Sequence, residues 1–251
     1  MTYSMIGRCA DTGAFGGVVG TSSLAVGNRC LAVGHGVGAV LSQHRTDPRL
    51  ARKGLARLED GQDAEATLAA MQDGAPGLEW RQLAVIDAAG RTAAFHGRML
   101  YSIYAAGTAA DCIAIGNIID NPDVPQAMAD AFAAGSRLPL ADRLMAGLLA
   151  GRDAGGEVLE PIRSAALVVS GPDGVADVDL RIDRSDEAAS ALEDLLRAYG
   201  EQSGQLRRVA LTPDEVPVSK ALFEASLERI ETLGLEERFP TSARKDDWTV
   251  I

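Results

Sequence analysis

Aromatic residues make up only 4% of the 251-residue chain, and histidine occurs 3 times. A core must therefore be built from alanine, valine and leucine rather than from rings. His35, His44 and His96 form no H-E-x-x-H pattern, which speaks against a histidine-based metal centre. The 3 cysteines, Cys9, Cys30 and Cys112, are odd in number, widely spaced and without a C-x-x-C pair. Neither a disulfide framework nor a thiolate zinc site follows from them, and each reads as a small buried hydrophobe. No metal and no organic cofactor are expected.

Net positive charge is also missing: the formal charge is -11. Phosphate neutralisation needs a basic surface, so no nucleic-acid partner is expected. The clusters Arg49 to Lys53 and Arg207-Arg208 are short and read as solvated helix faces. No run approaches the about 18 apolar residues of a membrane span, and the start of the chain lacks the basic flank and apolar run of a signal peptide. A cytoplasmic protein with no membrane partner is the expectation. Gly34-His35-Gly36-Val37-Gly38 has its third glycine at the wrong spacing for a Rossmann fingerprint, and a P-loop is absent.

What is present is 47% hydrophobic residues and 27 glycines, the composition of a strand-rich or layered fold with many tight turns. Tyr3 to Arg8 and Ala14 to Gly20 flank Ala10-Asp11-Thr12-Gly13, whose side chains and glycine suit a reversal, so the two runs predict a hairpin with Thr2 at the outer end of its first strand. Cys30 to Val33 and Ala39 to Leu41 flank the glycine-rich stretch, whose glycines allow a bend or a close approach by another layer or a ligand. Leu50, Leu55 and Leu58 mark a helix over 48–60, and Asp63 caps a second with Leu68 and Met71 on its buried side. Leu83 to Asp87 and Arg91 to His96 form the clearest hairpin, and 101–119 holds further strand or an ordered connection. Helical spacing returns over 124–132 and 140–149, strands over 164–170 and 175–182, and a helix over 187–199. The order is strands, helix pair, strands, helix pair, strands, helix, as expected of helical layers lying on sheets.

Gly200-Glu201-Gln202-Ser203-Gly204 reads as a linker, and Leu222, Leu227, Ile230 and Leu233 mark one late helix. The about 50 residues after the linker are too few for an independent core, so 205–251 is expected to be a helical appendage of a domain spanning 1–200, packed on it or on a neighbouring subunit. A homo-oligomer follows from that expectation.

Thr2-Tyr3-Ser4-Met5-Ile6-Gly7-Arg8, Asp11-Thr12-Gly13, Ala25-Val26-Gly27, the run from Gly36 to Gln43, Arg81 to Asp87, Gly116-Asn117 and Ser164 to Leu167 together resemble, in consistent order over about residues 2 to 199, the bacterial DUF1028 family. That family in turn resembles the N-terminal-nucleophile (Ntn) hydrolases. The resemblance implies an α+β fold of four layers, α-β-β-α, and hydrolysis of an amide bond as the default chemistry. The chain departs from the family's pattern at Tyr3, where phenylalanine is usual, and at His44-Arg45 and Asp47, where small apolar residues and asparagine are commoner. The latter changes gather at one turn and bear on substrate choice more than on fold.

Thr2 is the candidate nucleophile. Loss of Met1 would leave a hydroxyl and a free α-amine on one residue, and an amine of pKa about 7.7 to 8.0 accepts the hydroxyl proton directly or through water. A β-branched residue that merely begins a strand is the competing reading. Gln43 and Asn117 offer amide groups to a polar ligand or an oxyanion, or satisfy a turn. Arg81 and Arg163 are candidates to clamp a substrate carboxylate, or form surface ion pairs. Ser22 and Ser23 offer hydroxyls beside the first hairpin, and His44 offers proton exchange near neutral pH. Two function classes stay open: a hydrolase of an amide or carbamoyl C–N bond in a small polar or anionic molecule, and a non-catalytic binding or structural protein that retains the fold.

Overall fold

The computed structural model describes residues 1–159 and 161–240. The chain divides into two compact units, Met1–Arg197 and Ala198–Ile251.

The first unit begins with the expected hairpin: β1 (Thr2–Arg8) and β2 (Phe15–Thr21) pair antiparallel around Gly13, whose φ of +71° closes the turn at no steric cost. β3 (Leu31–Gly34) and β4 (Gly38–Gln43) form a second hairpin, and β5 (Gln82–Asp87) and β6 (Thr92–His96) a third. The stretch left open between strand and connection is a further hairpin, β7 (Tyr104–Ala109) and β8 (Cys112–Asn117). β9 (Ser164–Val169) and β10 (Val178–Ile182) complete the strands. They make two antiparallel sheets, one of order β10-β9-β2-β1-β8-β7 and one of order β3-β4-β5-β6.

α1 (Pro48–Glu59) starts where Asp47 accepts the Arg49 N–H at 3.1 Å, with proline in the first turn. α2 (Ala64–Gln72) starts where Asp63 accepts the Ala66 N–H at 2.8 Å. This pair covers the four-stranded sheet, while α3 (Val124–Ala134) and α4 (Leu140–Asp153) cover the six-stranded one. The result is an α+β protein whose two facing sheets are flanked by helices.

The alternation of side chains along each strand divides the core into layers. Ile6, Leu41, Ala84, Ile86 and Ile115 meet between the sheets, and Val40, Leu83 and Val85 point the other way, onto Leu50, Leu58 and Met71 of α1 and α2. α4 lies tight on β1 because its contact residue is glycine: a Cβ on Gly147 would stand 2.9 Å from the Met5 sulfur. β1 is thereby held on three sides, by β2, by β8 and by α4.

α5 (Ala188–Gly200) buries Ala188, Ala189 and Leu192, and its last residues open the second unit. There the expected linker is corrected. α6 (Ser203–Leu211) takes Ser203 and Gly204 into a helix, and α7 (Lys220–Thr232) is the late helix. Neither α6 nor α7 has a buried residue. Trp248 and the rest of 241–251 lie outside the described residues. No helix among those described is long and apolar enough to cross a membrane.

Candidate functional site

The ends of three interior strands, β2, β1 and β8, meet at one end of the six-stranded sheet. Thr2 opens β1 directly opposite Asn117, the last residue of β8, and beside Thr21, the last residue of β2. Thr2 is 7% exposed and Thr21 1%. Their hydroxyl oxygens stand 3.3 Å apart, and both hydroxyls donate to the carbonyl of Met1. The Ser23 N–H donates to the Thr21 hydroxyl at 3.3 Å, which fixes that oxygen between two strands. Thr2, Thr21 and Met1 line a pocket of about 310 Å³ whose other walls include Cys30, His44 and Arg45.

Glu157 arrives from the loop after α4. The loop is stitched to the segment following β8: the Asp120 N–H donates to Gly156 at 3.0 Å, the Val158 N–H donates to Ile118 at 3.3 Å, and Ile119 and Glu157 form a β-bridge. Ile118 holds a φ of +53°, a conformation that costs a β-branched residue energy and is retained because its neighbours fix it. The Glu157 carboxylate, 7% exposed at the residue level, accepts the Ser22 N–H with both oxygens, at 3.1 and 3.0 Å. Burial pushes its pKa up to about 7, against the opposing pull of the Ser22 hydrogen bonds, the nearby amino terminus and the neighbouring Thr21. Burial likewise lowers the pKa of the Met1 amine, with Glu157 and Cys30 opposing the shift.

The far wall is aromatic and cationic. His44 and Arg45 both adopt positive φ, 54° and 45°. The His44 Nδ1 donates to the Trp80 carbonyl at 2.6 Å, so the neutral ring presents Nε2 as an acceptor. Burial lowers the His44 pKa; the amino terminus, Arg45 and Arg81 lower it further, and only the Trp80 hydrogen bond resists. The Arg45 guanidinium lies 3.8 Å from the centroid of the Trp80 ring, and Tyr101 meets His44 edge-on.

Of the residues singled out in the sequence, the fold brings Thr2, Ser23 and His44 to this pocket. Ser22 stands behind it, with its backbone N–H on Glu157. Gln43 and Asn117 belong instead to a buried polar network between the sheets. Ser4 donates to the Gln43 Oε1 at 2.6 Å, the Gln43 Nε2 donates to the Gln82 Oε1 at 2.7 Å, and the Asn117 Nδ2 donates to the same oxygen at 2.9 Å. The Gln43 side chain is thus occupied in joining two sheets rather than in satisfying a turn, while the Asn117 Oδ1, buried beside Thr2, has no partner. Arg81 contacts the Pro76 carbonyl at 3.5 Å and reaches the site through its field on His44. Arg163 sits 3.4 Å from Asp186 as an exposed ion pair, outside the pocket wall.

Sequence reasoning missed Thr21 and Glu157. Thr21 was available from the hairpin: partners in β1 and β2 sum to the same number, as in Tyr3 with Gly20, which sets residue 2 beside residue 21. Glu157 carried no local signal, because a loop far along the chain delivers it. Among the described residues no group of three histidine, cysteine or carboxylate side chains gathers in a way that could hold a metal ion.

Sheets flanked by helices, with the chain's first strand opening into a pocket, define the class. Within it, the profile of the family of unknown function DUF1028 matches residues 2–192, and the chain belongs to that family. It is similar to protein SPO2555 from Silicibacter pomeroyi, a DUF1028 crystal structure, at 36% identity over 79% of this chain and 85% of that one, with a TM-score of 0.73. It has a remote likeness to Anbu, the ancestral beta-subunit from Yersinia bercovieri, at 11% identity over 79% of this chain and 97% of that one, with a TM-score of 0.33. No curated protein matches the chain.

Proposed function

We propose that this protein hydrolyses a C–N bond, amide or carbamoyl, in a small polar or anionic molecule, and that Thr2 is its nucleophile once Met1 has been removed. The observation that carries the reading is the placement of Thr2: a nearly buried hydroxyl at the start of β1, on the wall of a pocket, 3.3 Å from the Thr21 hydroxyl. The Ntn-type architecture expected from the family resemblance supports the same reading.

Loss of Met1 does two things at once. It clears the residue whose carbonyl both hydroxyls engage, and it leaves the α-amine on Thr2 itself. That amine is the simplest acceptor for the hydroxyl proton, as in other N-terminal threonine chemistry. Thr2 then attacks the substrate carbonyl, the amine leaves, and water releases the acyl group. At about 310 Å³ the pocket suits a small molecule and not a folded polypeptide. Arg45, held on the Trp80 ring at the pocket wall, takes the carboxylate-clamping role that the sequence offered to Arg81 and Arg163.

A screen of N-acyl and N-carbamoyl amino acids and cyclic amides tests this reading with the Met1-free protein. Thr2→Ser is expected to retain part of any turnover and Thr2→Ala to abolish it. Arg45→Ala is expected to raise KM for acidic substrates more than for neutral ones. Unchanged turnover in Thr2→Ala would remove the nucleophile assignment, and binding of these compounds without any turnover would favour the non-catalytic class.

A further inference from the structure

The Thr21 hydroxyl has neighbours on both sides that make it more than a strand end. On one side is the Thr2 hydroxyl at 3.3 Å. On the other is the Glu157 carboxylate, seated at 3.0 and 3.1 Å on the N–H of Ser22, the residue next to Thr21. The Ser23 N–H holds the Thr21 oxygen from a third direction. While Met1 is present, its carbonyl takes the protons of both threonines. Once Met1 is gone, the Thr21 proton is free to turn to Glu157 and its lone pair to the Thr2 proton.

The geometry points to Thr21 and Glu157 as a proton relay for Thr2: Glu157 is a positioning residue that draws the nucleophile's proton through the Thr21 hydroxyl. The inference rests on Thr2 being the nucleophile. It goes further in taking the controlling base away from the α-amine and placing it on a carboxyl that the sequence did not indicate. As the Thr2 oxygen bonds to the substrate carbonyl carbon, its proton passes to the Thr21 oxygen and the Thr21 proton passes to Glu157. The carbonyl oxygen becomes the oxyanion. When the C–N bond breaks, Glu157 returns a proton by the same path to the departing amine. A water molecule then repeats the sequence: its oxygen bonds to the acyl carbon, one of its protons passes through the Thr21 hydroxyl to Glu157, and the ester bond to Thr2 breaks as the threonine regains a proton by the same path.

Three observations support a built site. Ser22 presents its N–H to both oxygens of the carboxylate, so the group is oriented. The loop that carries it is tied to the strand end by two backbone hydrogen bonds and a bridge, and it turns through Gly155 and Gly156, both with positive φ. The strained residue Ile118 belongs to that same splice and lines the Thr2 pocket, where stored strain tends to accompany function. A pKa raised to about 7 by burial also matches what a base working near neutrality requires. The titratable and charged groups around Glu157 are the amino terminus, the Tyr3 phenol, Asp120, Arg152, Asp186 and Glu187.

The test uses p-nitrophenyl acetate and the full, Met1-free chain. It reads the rate of nitrophenolate release across pH 5 to 9 and maps the acetyl group to its peptide. The relay requires acetyl-Thr2 in the parent, with a rate that rises with pH as Glu157 ionises. Glu157→Gln, which keeps an acceptor for Ser22, should lose this limb and run about a hundredfold slower at pH 8, the usual scale of general-base assistance. Thr21→Val should match it, whereas Thr21→Ser should retain the parent's profile. If Glu157→Gln does not fold, the two Thr21 variants decide. Acetyl-Thr2 formed with an unchanged profile in Glu157→Gln or Thr21→Val would overturn the relay alone. No acetyl on Thr2 in the parent would overturn the nucleophile reading beneath it, and the relay with it.

Discussion

A carboxyl whose pKa is raised in the folded protein to about 7, from an ordinary 4.5, binds more protons folded than unfolded between those values. Its contribution to stability is therefore fully present below pH 4.5 and is lost as pH rises through 7. Glu157→Gln removes the change. The expected outcome is a variant whose stability, measured by urea unfolding, gains on the parent as pH goes from 4.5 to 7, by on the order of 3 kcal/mol. Equal slopes would show that the carboxyl is solvated in solution. The buried amino group acts in the opposite sense, because its lowered pKa costs stability as pH falls from 8.0. At this scale the site was half legible. Thr2 stood out because it follows Met1 at a strand start, and Thr21 was within reach through hairpin register. Glu157 was not, since a glutamate in a glycine-rich loop looks like any exposed acid until the fold places it beneath Ser22.

The elements rest on local chemistry that the chain displays openly. Asp47 caps α1 with its carboxylate on the Arg49 N–H, has its pKa lowered chiefly by the hydrogen bond from the Arg49 guanidinium, and accepts the Ser42 hydroxyl at its carbonyl at 3.0 Å. Asp47→Ala is expected to cost about 1 kcal/mol of unfolding free energy and Asp47→Asn much less, a difference that the urea midpoint resolves. Leu41, fully buried between the sheets, is the contrast: Leu41→Ala should cost about 2–5 kcal/mol, because it leaves a cavity in the layer that sets the spacing of the two sheets. Periodicity made α1 to α4 and the β1–β2 and β5–β6 hairpins readable, whereas β7–β8, whose first strand is largely exposed, was left open between strand and connection. α6 was obscured by Ser203 and Gly204, residues that favour turns, and a helix with no buried residue offers no apolar stripe to outweigh them. The Ser4–Gln43–Gln82–Asn117 network was likewise hidden, because hydrogen bonds between two sheets have no spacing in sequence.

For the whole molecule, the family fixes the kind of fold and leaves the chemistry to the site. Leu206 and Val209 on α6 and Leu222 on α7 are exposed apolar residues of the second unit. Because 205–251 is too short for a core of its own, we propose that it contributes to an interface between copies of the chain. Light scattering is expected to give an oligomer for the full chain and a monomer for a chain ending at Gly200; equal masses would remove the interface from this segment.

The central claim is that Thr2 carries the acyl group. Mass-spectrometric peptide mapping of the Met1-free protein after reaction with a β-lactone tests it most directly. A single stoichiometric adduct is expected on the N-terminal peptide, located at the Thr2 oxygen and absent from Thr2→Ala. An unmodified N-terminal peptide, with adducts elsewhere or none, would contradict it.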